Sequence, residues 1–300
     1  GVDQLAEKVY NKLSATIFNT KGRRYQTAQE IIDDLEAIKA YVTTNHQGLF
    51  VDVVDDFIVK IKLFGFHFTN MDIRQDSRIH TQVVSEIMEA AKAGKLGDSV
   101  QGDIPVDYNE LSENEQINVL TQLEGKIDPD LFETEIVRET LKSFYVMKTI
   151  QDENGETGCH RYIISNTQSS KNMFEVYALA RMCGWNKDEM TFDIVPLLET
   201  VEDLANGEDI FNLMYNHPVY LEHIKKRNNR QYVMLGFSDG TKDGGYLKAN
   251  WSIFTAKETL SGISKENGIK IVFFDGRGGP PARGGGNTNK FYSSLGDKIE

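Results

Sequence analysis

The second half of the chain alternates short apolar runs with stretches of helical periodicity, and each run gives way at once to polar residues. The runs are Tyr162-Ile163-Ile164, Phe192-Asp193-Ile194-Val195, Tyr232-Val233-Met234-Leu235 and Ile269-Lys270-Ile271-Val272-Phe273-Phe274. Strand alternating with helix is the pattern of βαβ units, whose strands lie parallel. An earlier run, Phe64-Gly65-Phe66-His67-Phe68, alternates and is aromatic, so it reads as a strand running to about Asp72. After it come Asp72 and Arg74. After Ile164 comes Ser165-Asn166-Thr167-Gln168-Ser169-Ser170, after Val195 Glu199-Thr200, after Leu235 Ser238-Asp239-Gly240-Thr241-Lys242-Asp243, and after Phe274 Asp275-Gly276-Arg277. Polar groups at the C-terminal ends of successive parallel strands are the habit of a (β/α)₈ (TIM) barrel. A doubly wound sheet places its ligand there too, usually at one crevice. Five decorated ends favour an α/β fold with a partial (β/α)₈-type barrel and extra helices, since a complete barrel needs eight strands.

The 300 residues read as one partial barrel domain spanning 1–300. Residues 1–63 are mostly helical, 64–150 hold the first strand plus helices, and 151–300 alternate strand and helix with active-site loops. Leu5, Val9, Leu13 and Ile17 recur at helical spacing, as do Ile31, Leu35, Ile38 and Val42 behind Thr27 as an N-cap. Helices are expected near 77–93, 108–124 and 130–149, a loop over 94–107 and a turn at 152–156. The chain opens inside a helical pattern and stops without a closing element, so a piece of a longer protein is expected.

The segment most loaded with chemistry is Asp275 to Gly286, where Arg277 and Arg283 stand among glycines. Glycines let backbone N–H groups approach a ligand closely. Two guanidinium groups offer forked donors that match phosphate or carboxylate. An arginine–glycine linker of the RNA-binding kind is the bland alternative; here the segment sits between a strand and the apolar residues Phe291, Tyr292 and Leu295. Glu199 and Asp239 each stand just past a strand. Two such carboxylates could hold Mg²⁺ or Mn²⁺, or could simply cap the helices that follow; the residues alone leave both readings open. Arg74 and Lys242 add cations at strand ends, making four with Arg277 and Arg283.

The rest of the chemistry is quieter. The six histidines show no metal-ligand spacing, and His67 reads as packed. Ser238 beside Asp239 lacks the glycines of a nucleophile elbow. A formal net charge of −12 argues against nucleic acid as a partner. No apolar stretch is long enough for a membrane span. Two unpatterned cysteines suit a reducing, cytoplasmic setting.

Four segments together resemble phosphoenolpyruvate carboxylase: Phe66-His67-Phe68-Thr69-Asn70-Met71-Asp72-Ile73-Arg74-Gln75-Asp76-Ser77, Val195-Pro196-Leu197-Leu198-Glu199-Thr200, the stretch from Met234 to Gly245, and the glycine-rich loop. Tyr108 to Glu113 and Tyr162 to Ser165 match more weakly. The resemblance runs from about residue 50 to 296. It implies a lyase of carbon dioxide fixation and anaplerotic metabolism, carboxylating phosphoenolpyruvate with bicarbonate to give oxaloacetate and phosphate. It implies Glu199 and Asp239 as carboxylates for Mg²⁺ or Mn²⁺, with Lys242 beside them. Arg74 would contact the substrate phosphate, Arg277 and Arg283 would hold phosphate and bicarbonate, and Leu197 and Met234 would line the methylene. It also implies an allosteric homotetramer for the full-length protein. In relatives regulated by aspartate or malate, the loop's second arginine also reaches the inhibitor, which gives Arg283 a second implied role.

The likeness has gaps. The family usually has His where Asp275 stands, so a substrate contact is lost or rebuilt there. Pro280-Pro281-Ala282 replaces the usual Thr-Val-Gly and should stiffen the loop. The family's catalytic histidine motif is not in these 300 residues, nor is the C-terminal part with a further arginine. The expectation is therefore a fragment that is inactive alone; the alternative is a noncatalytic anion-binding or scaffolding relative.

Overall fold

The computed structural model describes residues 1–276 and 287–293, and divides the chain into two compact units, one of residues 1–71 with 149–159 and one of 72–148 with 160–300.

The first unit is built on three helices, α1 (Val2–Ile17), α2 (Ala28–Asn45) and α3 (Val51–Phe64). Thr27 caps α2 as the sequence leads one to expect, its hydroxyl accepting from the Glu30 amide at 3.3 Å. Ile31, Leu35, Ile38 and Val42 fall on one face of α2 and are buried with Val9, Tyr25 and Ile58. One carboxylate serves the edge of this core: Asp34 accepts from Lys8 at 2.7 Å, Lys12 at 2.9 Å and the Tyr25 hydroxyl at 2.9 Å.

The expected strand at 64–68 is not there. The Gly65 amide closes α3 on the Ile61 carbonyl, and Gly65 and Phe68 take positive φ of 51° and 58°. Extended pairing cannot pass through left-handed residues. The aromatic alternation instead stacks Phe64 on Phe68, ring centroids 5.0 Å apart.

The second unit begins with β1 (Asp72–Asp76), so Asp72 and Arg74 lie within the strand rather than after it. In chain order follow α4 (Ser77–Lys92), β2 (Val100–Gln101), α5 (Glu113–Leu120), β3 (Glu124–Gly125), α6 (Glu135–Asn154, whose residues from 149 on belong to the first unit), β4 (Arg161–Ser165), α7 (Lys171–Met182), β5 (Asp193–Leu198), α8 (Val201–Asn216), α9 (Pro218–Lys226), β6 (Arg230–Gly236), α10 (Ser238–Glu266), β7 (Lys270–Gly276) and α11 (Thr288–Ser293). β2 and β3 form a small antiparallel pair. The other five strands make one all-parallel sheet in the order β1-β4-β5-β6-β7. This is a helix-rich α/β architecture, and the four strands expected in the second half each fall within a few residues of their apolar runs.

Register sorts the strand residues onto two faces. Tyr162, Ile164, Ile194, Leu198, Val233 and Leu235 are almost wholly buried. They face the packed helices: Phe144 of α6 stacks on Tyr162 at 4.9 Å between centroids. Burying each such side chain contributes ~1.5–3 kcal/mol before the entropic cost of ordering it. The opposite face carries Arg74 level with Ile163 and Val195, and Leu197 level with Met234 and Phe274. Ile163, Val195 and Leu197 pack there with Tyr232 and Met234. β5 pairs with β4 as far as Pro196 and with β6 from Leu197.

Candidate active site

The strand residues of the second face lead, at their C-terminal ends, to one carboxylate. Glu199 stands just past β5, two residues beyond Leu197, and is about one-fifth exposed at its side chain. Its Oε1 accepts from Arg74 Nη2 at 3.1 Å and its Oε2 from the Asn166 amide at 3.0 Å. Asn166 reaches it by a left-handed backbone, φ 55°, which asparagine tolerates better than most residues. The Ser77 hydroxyl donates to the Asn166 carbonyl at 2.5 Å, tying the start of α4 to the end of β4. Arg74 from within β1 and the backbone just past β4 thus meet the residue just past β5.

Glu199 is not the cap of the helix that follows it. Thr200 and Asp203 perform that task in a capping box: Thr200 Oγ1 accepts from the Asp203 amide at 3.0 Å, and Asp203 Oδ2 accepts from the amides of Glu199 and Thr200 at 3.1 and 2.9 Å. The helix dipole is satisfied one residue on, and the Glu199 side chain is left to the sheet's open face. The Thr-x-x-Asp spacing is readable in the sequence and assigns the cap to Thr200.

A glycine makes this arrangement possible. A Cβ on Gly236, at the end of β6, would lie 2.9 Å from Glu199 Cα and 3.1 Å from its Cγ. Any side chain there would push the carboxylate aside. Beyond Gly236, α10 opens with Gly240 against the Glu199 carbonyl, 3.5 Å from the position of an added Cβ. α10 is broken at Gly245, whose φ of 77° and ψ of 169° are not helical. Its short first part holds the Asp239 backbone and Lys242, an exposed side chain. The Asp239 side chain lies outside what the structure describes, as do Arg277 and Arg283 altogether. Leu197 and Met234 are level neighbours across β5 and β6 and pack against each other.

Electrostatically the pair is loose. Arg74 is about half exposed, so the ion pair adds ~1 kcal/mol or less to stability. It can be given up to a ligand at small cost. Among the described residues no three His, Cys, Asp or Glu side chains gather as a metal cage. A hard divalent cation needs less, one or two carboxylates with water completing its shell. The Glu199 oxygens have the donor chemistry for it. Burial pushes the imidazoles of His80 and His223 down to about 3, so both are neutral at ordinary pH.

Asp275 is turned the other way. It is level with Leu235, on the helix side of β7, and its carboxylate is held by Lys257 of α10, Nζ to Oδ1 2.9 Å. Neither Lys257 nor Asn166 stands out in the sequence: one is a lysine inside a helix, the other one polar residue among several.

A family model for phosphoenolpyruvate carboxylase matches residues 3–294. The match takes in both units and every strand end just described. A match of that extent makes the chain a member of the phosphoenolpyruvate carboxylase family.

Proposed function

We propose that this chain carries the substrate-binding strand ends of a phosphoenolpyruvate carboxylase, which joins phosphoenolpyruvate to bicarbonate and releases oxaloacetate and phosphate. The observation that carries the reading is the Arg74–Glu199 pair. A guanidinium and a carboxylate, on β1 and just past β5, are held 3.1 Å apart, which supports a phosphate-binding part for the first and a metal-binding part for the second. In this reading the five parallel strands are staves of a (β/α)₈-type barrel.

The residues then take the following parts. Arg74 holds the substrate phosphate, and Arg277 and Arg283 hold phosphate and bicarbonate. Negative charge spreads over phosphoryl oxygens as the phosphoryl group leaves, so guanidinium groups already in place stabilise that change without reorganising. Leu197 and Met234 form an apolar ledge for the methylene carbon. Glu199 and Asp239 hold Mg²⁺ or Mn²⁺, which supplies Lewis-acid stabilisation of developing negative charge. Lys242, in the same short helical segment as Asp239, adds positive charge beside them. Asp275 faces the helices, so the reading does not need it to replace the family's histidine at the substrate.

No helix among the described residues is long and apolar enough to cross a membrane. A cytoplasmic setting, a homotetramer and feedback control at Arg283 belong to the same proposal. The test is bicarbonate-dependent turnover of phosphoenolpyruvate by the complete gene product. Oxaloacetate and phosphate are expected in equal amounts. Phosphate release that ignores bicarbonate, or no turnover at all, would refute the carboxylase reading and favour a noncatalytic relative.

A further inference from the structure

The chain enters its glycine-rich segment from a strand end that is clamped on one side. Asp275 is the last residue but one of β7, and Arg277 follows two residues later. Lys257 reaches Asp275 from the long second part of α10, with Nζ 2.9 Å from Oδ1 and 3.1 Å from Oδ2. Both side chains are nearly out of solvent, at 5% and 12% exposure, and the ammonium also lies 5.5 Å from the centre of the Phe273 ring. On the opposite face the strand end is equally tight. A Cβ on Gly276 would stand 2.8 Å from Met234 Cε and 3.1 Å from the Leu235 carbonyl.

We propose that Lys257 is a positioning residue: by gripping both oxygens of Asp275 it fixes the height and direction at which the chain leaves the sheet toward Arg277. The physical case rests on what a buried ion pair does and does not supply. Apolar side chains of similar size often hold a strand to a helix about as well as a buried pair does. They exert no directional pull along the strand axis. An ammonium seated between two carboxylate oxygens does, because its hydrogen bonds weaken steeply as the angle opens. The grip is placed where a small slide would matter most, since a misplacement of about 1 Å at a charged contact can cost on the order of a hundredfold in rate.

This role rests on the carboxylase reading, in which Arg277 meets the substrate. The experiment uses the complete gene product with the double substitution Lys257→Met and Asp275→Leu, which removes the grip and keeps the bulk. The expected result is an unfolding temperature close to wild type, a KM for phosphoenolpyruvate raised about tenfold or more with a smaller change in kcat, and faster tryptic cleavage after Arg277. Lys257→Arg, which keeps a charged hydrogen bond to Asp275, should recover most of the loss. If the apolar pair does not fold, Lys257→Gln with Asp275→Asn asks the same question with neutral groups of similar shape. A folded pair variant with wild-type KM and wild-type cleavage overturns the positioning role and leaves the carboxylase reading standing. A wild-type protein that neither binds nor turns over phosphoenolpyruvate overturns both.

Discussion

Arg74 and Glu199 are separated by 125 residues of sequence and meet at 3.1 Å across the end of the sheet. In the proposed reading each therefore occupies a place that a ligand would claim. A cation arriving at Glu199 meets a guanidinium already there, and a phosphate arriving at Arg74 must draw it from a carboxylate. Charge settles the direction of the effect. Removing the guanidinium with Arg74→Gln should tighten Mn²⁺ binding several-fold in the absence of substrate, and weaken phosphoenolpyruvate binding about tenfold or more. Electron paramagnetic resonance of free Mn²⁺ and calorimetry of substrate binding read the two changes separately. Looser Mn²⁺ binding in the variant would show that Arg74 does not compete for Glu199.

Asp239→Asn and Arg277→Ala are each expected to remove most of the activity of the complete gene product, about a hundredfold or more in kcat/KM. That is the scale of losing one charged contact to the transition state. Steady-state assays at saturating Mg²⁺ decide it. Near wild-type rates in either variant would remove that residue from the site.

Gly236→Ala should act on stability and site together. Its Cβ meets Glu199 backbone at 2.9 Å, which cannot yield as a flexible side-chain tip would. Crowding of this kind costs ~1–3 kcal/mol. Gly262→Ala is the control, since nothing lies within 4 Å of a Cβ at that helical position. The control should unfold at the wild-type temperature or slightly above. Gly236→Ala should unfold several degrees lower and bind Mn²⁺ less tightly. Equal behaviour of the two in calorimetry and Mn²⁺ titration would dismiss the close approach at Glu199.

Buried histidine makes the fold sensitive to acid. His80 is fully enclosed with Nε2 2.9 Å from the Tyr162 hydroxyl, and burial holds its imidazole down to about 3, with His223 alongside at a similar value. Unfolded histidine takes up a proton near pH 6.5. Between there and pH 3 the unfolded chain binds more protons than the native one, so stability falls as pH falls through this window. The slope well below pH 6.5 approaches ~1.4 kcal/mol per pH unit for each histidine. Urea unfolding at successive pH values should show it, and His80→Gln should remove one histidine's share of the slope. An unchanged slope in that variant would place the acid sensitivity elsewhere.

These 300 residues lack the family's histidine motif, and we predict that on their own they make no oxaloacetate. Turnover by the purified chain, with a contaminating enzyme excluded, would disprove this.

How far the sequence revealed the molecule depended on distance along the chain. The helical stripe Ile31, Leu35, Ile38 and Val42 and its Thr27 cap are local features, and they are found as read. So are the strands around Ile163, Val195, Val233 and Val272, because each apolar run is bounded by polar residues. The run from Phe64 to Phe68 failed because alternation fixes only a pattern of side chains, whereas Gly65 and Phe68 fix the backbone, and they turn it left-handed. The helix at α6 continues to Asn154, into the expected turn at 152–156, until Gly155 at φ 89° ends it. At the site, Glu199 could be read as cap or ligand. The Thr200–Asp203 box, a short-range signal, removes the capping reading, and the contact with Arg74 is a long-range one. The Lys257–Asp275 pair left no trace, since a helical lysine looks solvated until the strand it reaches is known.

The break at Gly245 has a consequence for how this part of the molecule can change. In an unbroken helix, one inserted residue turns everything downstream by ~100° relative to everything upstream. Asp239 and Lys242 would then be geared to Lys257, and no alteration near the first two could leave the third in place. With Gly245 outside helical geometry, the gear is disengaged. The short segment that packs on the Glu199 backbone and the long one that carries Lys257 to Asp275 can be re-cut independently, so in the proposed reading substrate preference and loop anchorage are free to diverge at different rates.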